Sequence, residues 1–179
     1  IPDTQSHLEE NNMLGITPFG LFHTLISLVS LFTGLYALLR FGRILDRQHS
    51  GQVYIWGTVG SCVTGFFIVR HGGFSQAHAL GIATLLALAA GWWLGRNAKP
   101  GSLKQIASTL AYTLTVFFHF IPGLNETLVR VPVGNPWISG PEDPKLLALV
   151  SATFLVFLVV MAVQVTRIRR GPGQALPVD

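Results

Sequence analysis

The sequence predicts an all-α integral membrane bundle of five transmembrane helices, with the N-terminus outside and the C-terminus inside. Three observations predict it. Only 11% of the 179 residues are charged while 50% are hydrophobic, at a mean hydropathy of +0.51, whereas an ordinary soluble domain carries roughly 25% charged residues. The charges are also clustered: no Asp, Glu, Lys or Arg falls between Glu10 and Arg40, Arg47 and Arg70, Arg70 and Arg96, Lys104 and Glu126, or Lys145 and Arg167. Each gap holds one span of about 20 residues. Finally, the basic residues that bound the gaps are distributed unequally between the two sides.

Taken in order, 1–16 is a polar tail containing Asp3, Glu9 and Glu10, in which Met13 offers an alternative start. The first helix, 17–39, opens at Thr17-Pro18, a hydroxyl N-cap followed by proline at the first helical position. It is too long for a cleavable signal peptide, and its Arg-rich flank lies on the wrong end. The second and third helices cover 53–69 and 74–94. The fourth covers 103–121 and is expected to stop at Pro122-Gly123. A long proline-rich connection leads to the fifth, 146–166, and 171–179 forms the C-terminal tail. Gly57, Ser61 and Gly65, and likewise Gly91 and Gly95, permit close helix approach.

Orientation follows from Lys and Arg, which are retained in the cytoplasm. Arg40, Arg43 and Arg47 join helices one and two, Arg96, Lys99 and Lys104 join three and four, and Arg167, Arg169 and Arg170 follow five. The other side has only Arg70, Arg130 and Lys145. Tyr36, Tyr54, Trp56, Trp92 and Trp93 then fall near the inner interface, where amphipathic rings prefer to sit. The setting is the inner (cytoplasmic) membrane, with the lipid bilayer as the first partner. A pI near 9.7 does not argue for nucleic acid, because the basic residues flank apolar segments and form no separate face. Cys62, the only cysteine, reads as a small buried hydrophobe.

The histidines carry the functional signal. On this topology His23 lies roughly 9 Å into helix one at about 1.5 Å per residue. His71 caps helix two, His78 lies one turn into helix three, and His119 ends helix four, so four histidines fall in the outer leaflet. His49 and His7 read as solvated. His23 shares a face with Ser27, Ser30 and Gly34, His119 with Ser108, Ala111 and Thr115, and His78 with Gly81 and Ala89. Small, polar faces pack inward in membrane bundles. His23, His78 and His119 should therefore converge.

An ionisable residue inside a span is a functional hypothesis by default, and neutral imidazole ligates Zn, Cu and haem iron. One reading is a b-type haem held by two of His23, His78 and His119, with Arg70 and Arg130 on its propionates. Phe19, Phe22, Phe74, Phe118 and Phe120 would then wall the flat ring. The protein would be a redox or electron-transfer component. Another is a Zn or Cu ion held by His23, His78 and His119, with His71 or Glu126 nearby, which opens a membrane-embedded hydrolase in which Glu126 is the one available base. A third is a non-catalytic accessory subunit of a larger membrane complex with partner subunits. Glu126 can alternatively pair with Arg130. The sequence has no HExxH, CxxC or CxxCH pattern, no phosphate loop and no Ser-His-Asp set.

His23-Thr24, the run from His49 to Tyr54, His78, Phe117-Phe118-His119, Glu126-Thr127 and Arg130-Val131-Pro132 together resemble a family of bacterial predicted membrane proteins, a domain of unknown function. The resemblance covers roughly Pro18 to Pro132. It implies a small multi-helix bundle and brings no activity. The segment after His49 departs from it, having Ser50 and Gln52 where more basic residues are expected.

Overall fold

The computed structural model describes residues 17–68 and 74–171. They form five helices and, among the described residues, no strand: α1 (Pro18–Phe41), α2 (His49–Phe66), α3 (Gln76–Gly95), α4 (Leu103–Leu128) and α5 (Pro144–Arg170). All but α2 are long and apolar enough to cross a membrane. The exception has a physical reason. Its first turn is the polar run His49, Ser50, Gly51 and Gln52, and further along Gly57, Thr58, Gly60, Ser61, Thr64 and Gly65 add little apolar character and face α1.

α1 starts as its sequence dictates: Thr17 Oγ1 accepts the Gly20 N–H at 3.1 Å and Pro18 sits in the first turn. It closes on Gly42 at φ +72°, whose N–H returns to the Leu38 carbonyl, a left-handed cap suited to glycine. α2 begins at His49, ahead of the hydropathy onset at Val53. Gly51 allows this, because a Cβ there would stand only 1.8 Å from the Leu45 carbonyl oxygen.

The bounds of α4 and α5 also depart from expectation. α4 does not stop at Ile121 but continues through Pro122 to Leu128. Proline removes one helical N–H and crowds the carbonyl one turn back, and membrane helices tolerate that loss when neighbours re-satisfy the backbone. His119 consequently lies well inside α4 rather than at its end. α5 is longer at both ends, with Asp143 as N-cap and Pro144 in the first turn.

Successive helices pack antiparallel. Across α1 and α2 the pairs are His23 with Thr64, Ser27 with Ser61, Ser30 with Thr58, and Gly34 with Tyr54. Ser108 Oγ on α4 donates to the Gly91 carbonyl on α3 at 2.7 Å, and Gly91 lies against the Tyr112 ring. Phe117 packs on Phe154 and Phe157 of α5, while Thr113 donates to Gln164 Oε1 at 3.0 Å. The core centres on Tyr54, Tyr112, Val116, Phe117 and Phe157. Large apolar side chains such as Phe32, Leu147 and Val159 are exposed, as lipid-facing positions should be.

This connectivity places the ends of α1, α3 and α5 and the starts of α2 and α4 at one end of the bundle. Gln164 Nε2 ties that end together by donating to the Gly42 carbonyl at 2.8 Å. Arg40, Arg43, Arg47, Arg96, Lys99, Lys104, Arg167, Arg169 and Arg170 therefore gather there. Tyr54 departs from its expected interfacial place: it is fully buried, whereas Tyr36, Trp56, Trp92 and Trp93 are exposed.

Candidate functional site

The site is built along the seam of α1, α2 and α4. Ser27 Oγ donates to the His23 carbonyl at 2.8 Å and lies 2.6 Å from Ser61 Oγ. The Ser30 and Thr58 hydroxyls are 2.7 Å apart and both reach the Tyr54 carbonyl. Each hydroxyl is satisfied inside the seam, as burial of a polar group demands.

At one end of this ladder His23 Nδ1 lies 2.9 Å from Thr64 Oγ1. Thr64 gives its single proton to the Gly60 carbonyl at 2.8 Å, so its oxygen accepts from His23 Nδ1–H. The assignment that satisfies every partner leaves the lone pair of His23 on Nε2. Gly65 makes room for the ring: a Cβ there would lie 3.3 Å from His23 Cε1.

His119 is fixed in the same sense by a different partner. Its Nδ1 lies 2.9 Å from the Thr115 carbonyl, an acceptor only, so Nδ1 carries the proton and Nε2 the lone pair. The Tyr54 ring stands 5.9 Å from the His119 ring, and the Tyr54 hydroxyl lies 2.6 Å from Thr115 Oγ1. His23 on α1 and His119 on α4 thus both line this seam, where α1 and α4 are themselves in contact. Because α4 continues past Pro122, Glu126 lies two turns beyond His119 on the same helical face.

His78 is held by other partners. Its Nδ1 accepts the Ser75 N–H at 3.1 Å and lies 2.7 Å from Ser75 Oγ, so it closes the first turn of α3. The ring packs against Phe66 and Phe74, with centroids 6.2 and 5.6 Å away. A histidine in the first turn is drawn to the free amides there, and this outweighs the face it shares with Gly81. With Nδ1 occupied as an acceptor, the neutral ring carries its proton on Nε2 and has no lone pair to spare.

The remaining candidates divide. Arg130 forms an ion pair with Glu126 and also donates to the Glu126 carbonyl at 3.0 Å, so each is committed to the other within one helical turn. Arg70 and His71 lie outside the described residues. Among the described residues no three His, Cys, Asp or Glu side chains assemble as a metal-ligand group. The phenylalanines do not enclose the pair: Phe22 and Phe74 are largely exposed, and Phe120 packs on Phe157 of α5. Sequence reasoning missed Tyr54 and Thr64. The signal for Thr64 was its place one turn beyond Ser61.

No family model matches the chain, and neither do any curated protein or any solved structure.

Proposed function

We propose that this chain is a five-span integral protein of a bacterial inner membrane that ligates a metal-centred redox cofactor, b-type haem, through His23 and His119. The observation that carries this reading is the shared state of the two rings: each donates Nδ1–H to a fixed oxygen and keeps the Nε2 lone pair. Such an outer hydrogen bond orients a metal-ligating histidine and raises its basicity. The donor set fits haem, whose iron takes two imidazoles and leaves the other positions to the macrocycle. A bare Zn or Cu ion needs further donors, and Glu126, the nearest carboxylate, is engaged by Arg130.

When bound, haem would supply one-electron chemistry at a potential set by its axial ligands and their surroundings. The chain's own residues would orient the ligands through Thr64 and Thr115 and exclude water through Tyr54. Electron transfer across the whole bilayer is not part of the proposal, since among the described residues the opposite end of the bundle has His49 alone. The nine basic residues at one end favour a cytoplasmic location for that end and for the C-terminus.

The test is the absorption spectrum of protein purified in detergent from its native membrane without chelator, with elemental analysis of the same sample. A Soret band lost in His23→Ala and in His119→Ala supports haem, whereas stoichiometric zinc or copper without colour supports a metal site using Glu126. Absence of both sinks the cofactor reading in favour of an accessory subunit.

A further inference from the structure

The bundle end opposite the histidine pair contains a recess of about 160 Å³, walled by the turn after α1, the end of α3 and the first turns of α4. Three polar groups on it lack partners. Tyr112 is only 3% exposed, yet its hydroxyl makes no hydrogen bond. Arg43 lines the same recess, half-buried, without a hydrogen bond or ion pair among the described residues. Burial pushes its guanidinium pKa down from the ordinary value. Asp46, on the same turn, lines the recess too, yet is not within ion-pair distance of Arg43.

A buried donor without an acceptor is unfavourable, and a half-buried unpaired charge more so. Of the other hydroxyls that line the recess, Ser108 is already used, since it donates to the Gly91 carbonyl, and Thr109 is the second. The recess therefore brings together a cation, a phenol donor and a carboxylate that are not paired with one another. Two opposite charges that face one small recess without neutralising each other match a ligand carrying both charges. The basic residues at this end of the spanning-length helices, Arg40, Arg96 and Arg167 among them, lie where lipid headgroups meet such proteins.

We infer that this recess binds the headgroup of a zwitterionic phospholipid of the phosphoethanolamine class, its phosphate on Arg43 and the Tyr112 hydroxyl and its ammonium on Asp46. Guanidinium is suited to phosphate oxygens. The primary ammonium matters on the other side, because a trimethylated headgroup has no N–H to donate to Asp46.

The full chain in detergent, incubated with phosphatidylethanolamine, phosphatidylglycerol or phosphatidylcholine of matched acyl chains, is read by native mass spectrometry for retained lipid. One phosphatidylethanolamine is expected, preferred by about tenfold over the others. Arg43→Gln should lower its retention by about tenfold, while Arg40→Gln, whose guanidinium lies over the Phe41 ring, should not. Asp46→Asn should shift preference to phosphatidylglycerol. Should Arg43→Gln fail to fold, Tyr112→Phe removes only the unpartnered hydroxyl and is expected to weaken retention severalfold. Equal retention of the three lipids, or wild-type retention in both Arg43→Gln and Tyr112→Phe, overturns the proposal. Displacement by water-soluble phosphoethanolamine at matched concentration assigns the recess to a soluble zwitterion and overturns the lipid assignment.

Discussion

The Tyr54 hydroxyl meets Thr115 Oγ1 at 2.6 Å, in a place where Tyr54 has no exposure at all. Thr115 gives its own proton to the Tyr112 carbonyl at 2.8 Å, so Tyr54 is the donor. That bond fixes the phenol beside His119 and joins α2 to α4. Tyr54→Phe keeps the ring and leaves no orphaned donor, so it should cost about 1 kcal/mol. Tyr54→Ala opens a cavity and should cost about 3–5 kcal/mol. Reversible denaturation in detergent separates the two, and equal losses would mean the ring does not pack as described.

Thr64 is expected to act on the site through His23 alone. Thr64→Val removes the acceptor of His23 Nδ1–H and should weaken cofactor retention by about 10–100-fold, with Thr64→Ser restoring it. Far-ultraviolet circular dichroism should be the same for all three proteins. Wild-type retention in Thr64→Val would show that nothing depends on this hydrogen bond.

Gly34 is where α1 tolerates no side chain. A Cβ there would stand 2.6 Å from the Tyr54 ring, whereas one on Gly60 meets only Ile26 Cγ2 at 3.6 Å. Gly34→Ala should therefore lose about 1–3 kcal/mol to overpacking. Gly60→Ala should be neutral or gain up to about 1 kcal/mol from helix propensity. Thermal melts of the two variants that shift in the same direction would contradict the packing of this seam.

The basic end is expected to face the cytoplasm. In a Cys62→Ala background, an impermeant maleimide added to intact cells should label Asn135→Cys and spare Asn97→Cys, both exposed turn positions. The reverse pattern inverts the topology.

Asp143 should make the start of α5 sensitive to acid. The Lys145 and Ser139 N–H groups donate to its carboxylate at 2.9 and 3.1 Å, the Lys145 bond acting most strongly, and hold its pKa below the ordinary 3.8. A depressed folded pKa gives a contribution that is complete above the unfolded value and lost as pH falls through the folded one. Wild-type protein should thus lose more thermal stability below about pH 4 than Asp143→Ala does. Parallel pH profiles would exclude this contribution.

The sequence foretold the α1 side of the site better than the α2 side. The spacing of His23, Ser27, Ser30 and Gly34 follows one helical face, and all four residues lie on the seam. Ser61 was legible with Gly57 and Gly65 as a close-approach face, but Thr64, Thr58 and Tyr54 were less so, because Tyr54 reads as an interfacial aromatic while its burial depends on Gly34 and Thr115 from other helices. The engagement of His78 with Ser75 was not legible for a local reason: periodicity reports which face a residue occupies, but not that an open first turn will capture the ring. Pro122 misled in the opposite way, as its local signal to stop was overridden by a helix long enough to continue to Leu128.

The hydroxyl ladder between α1 and α2 also bears on how the protein is made. Among the described residues α2 is the one helix that falls short of the length and hydropathy of a membrane span, and its Ser61, Thr58 and Thr64 find their partners on α1. On the five-span reading, α2 enters the membrane only as the second arm of a hairpin with α1 already in place. Losing Ser27 and Ser30 together would then appear first as a defect of insertion during synthesis, with α2 stranded at the surface, before any loss of stability in the finished bundle.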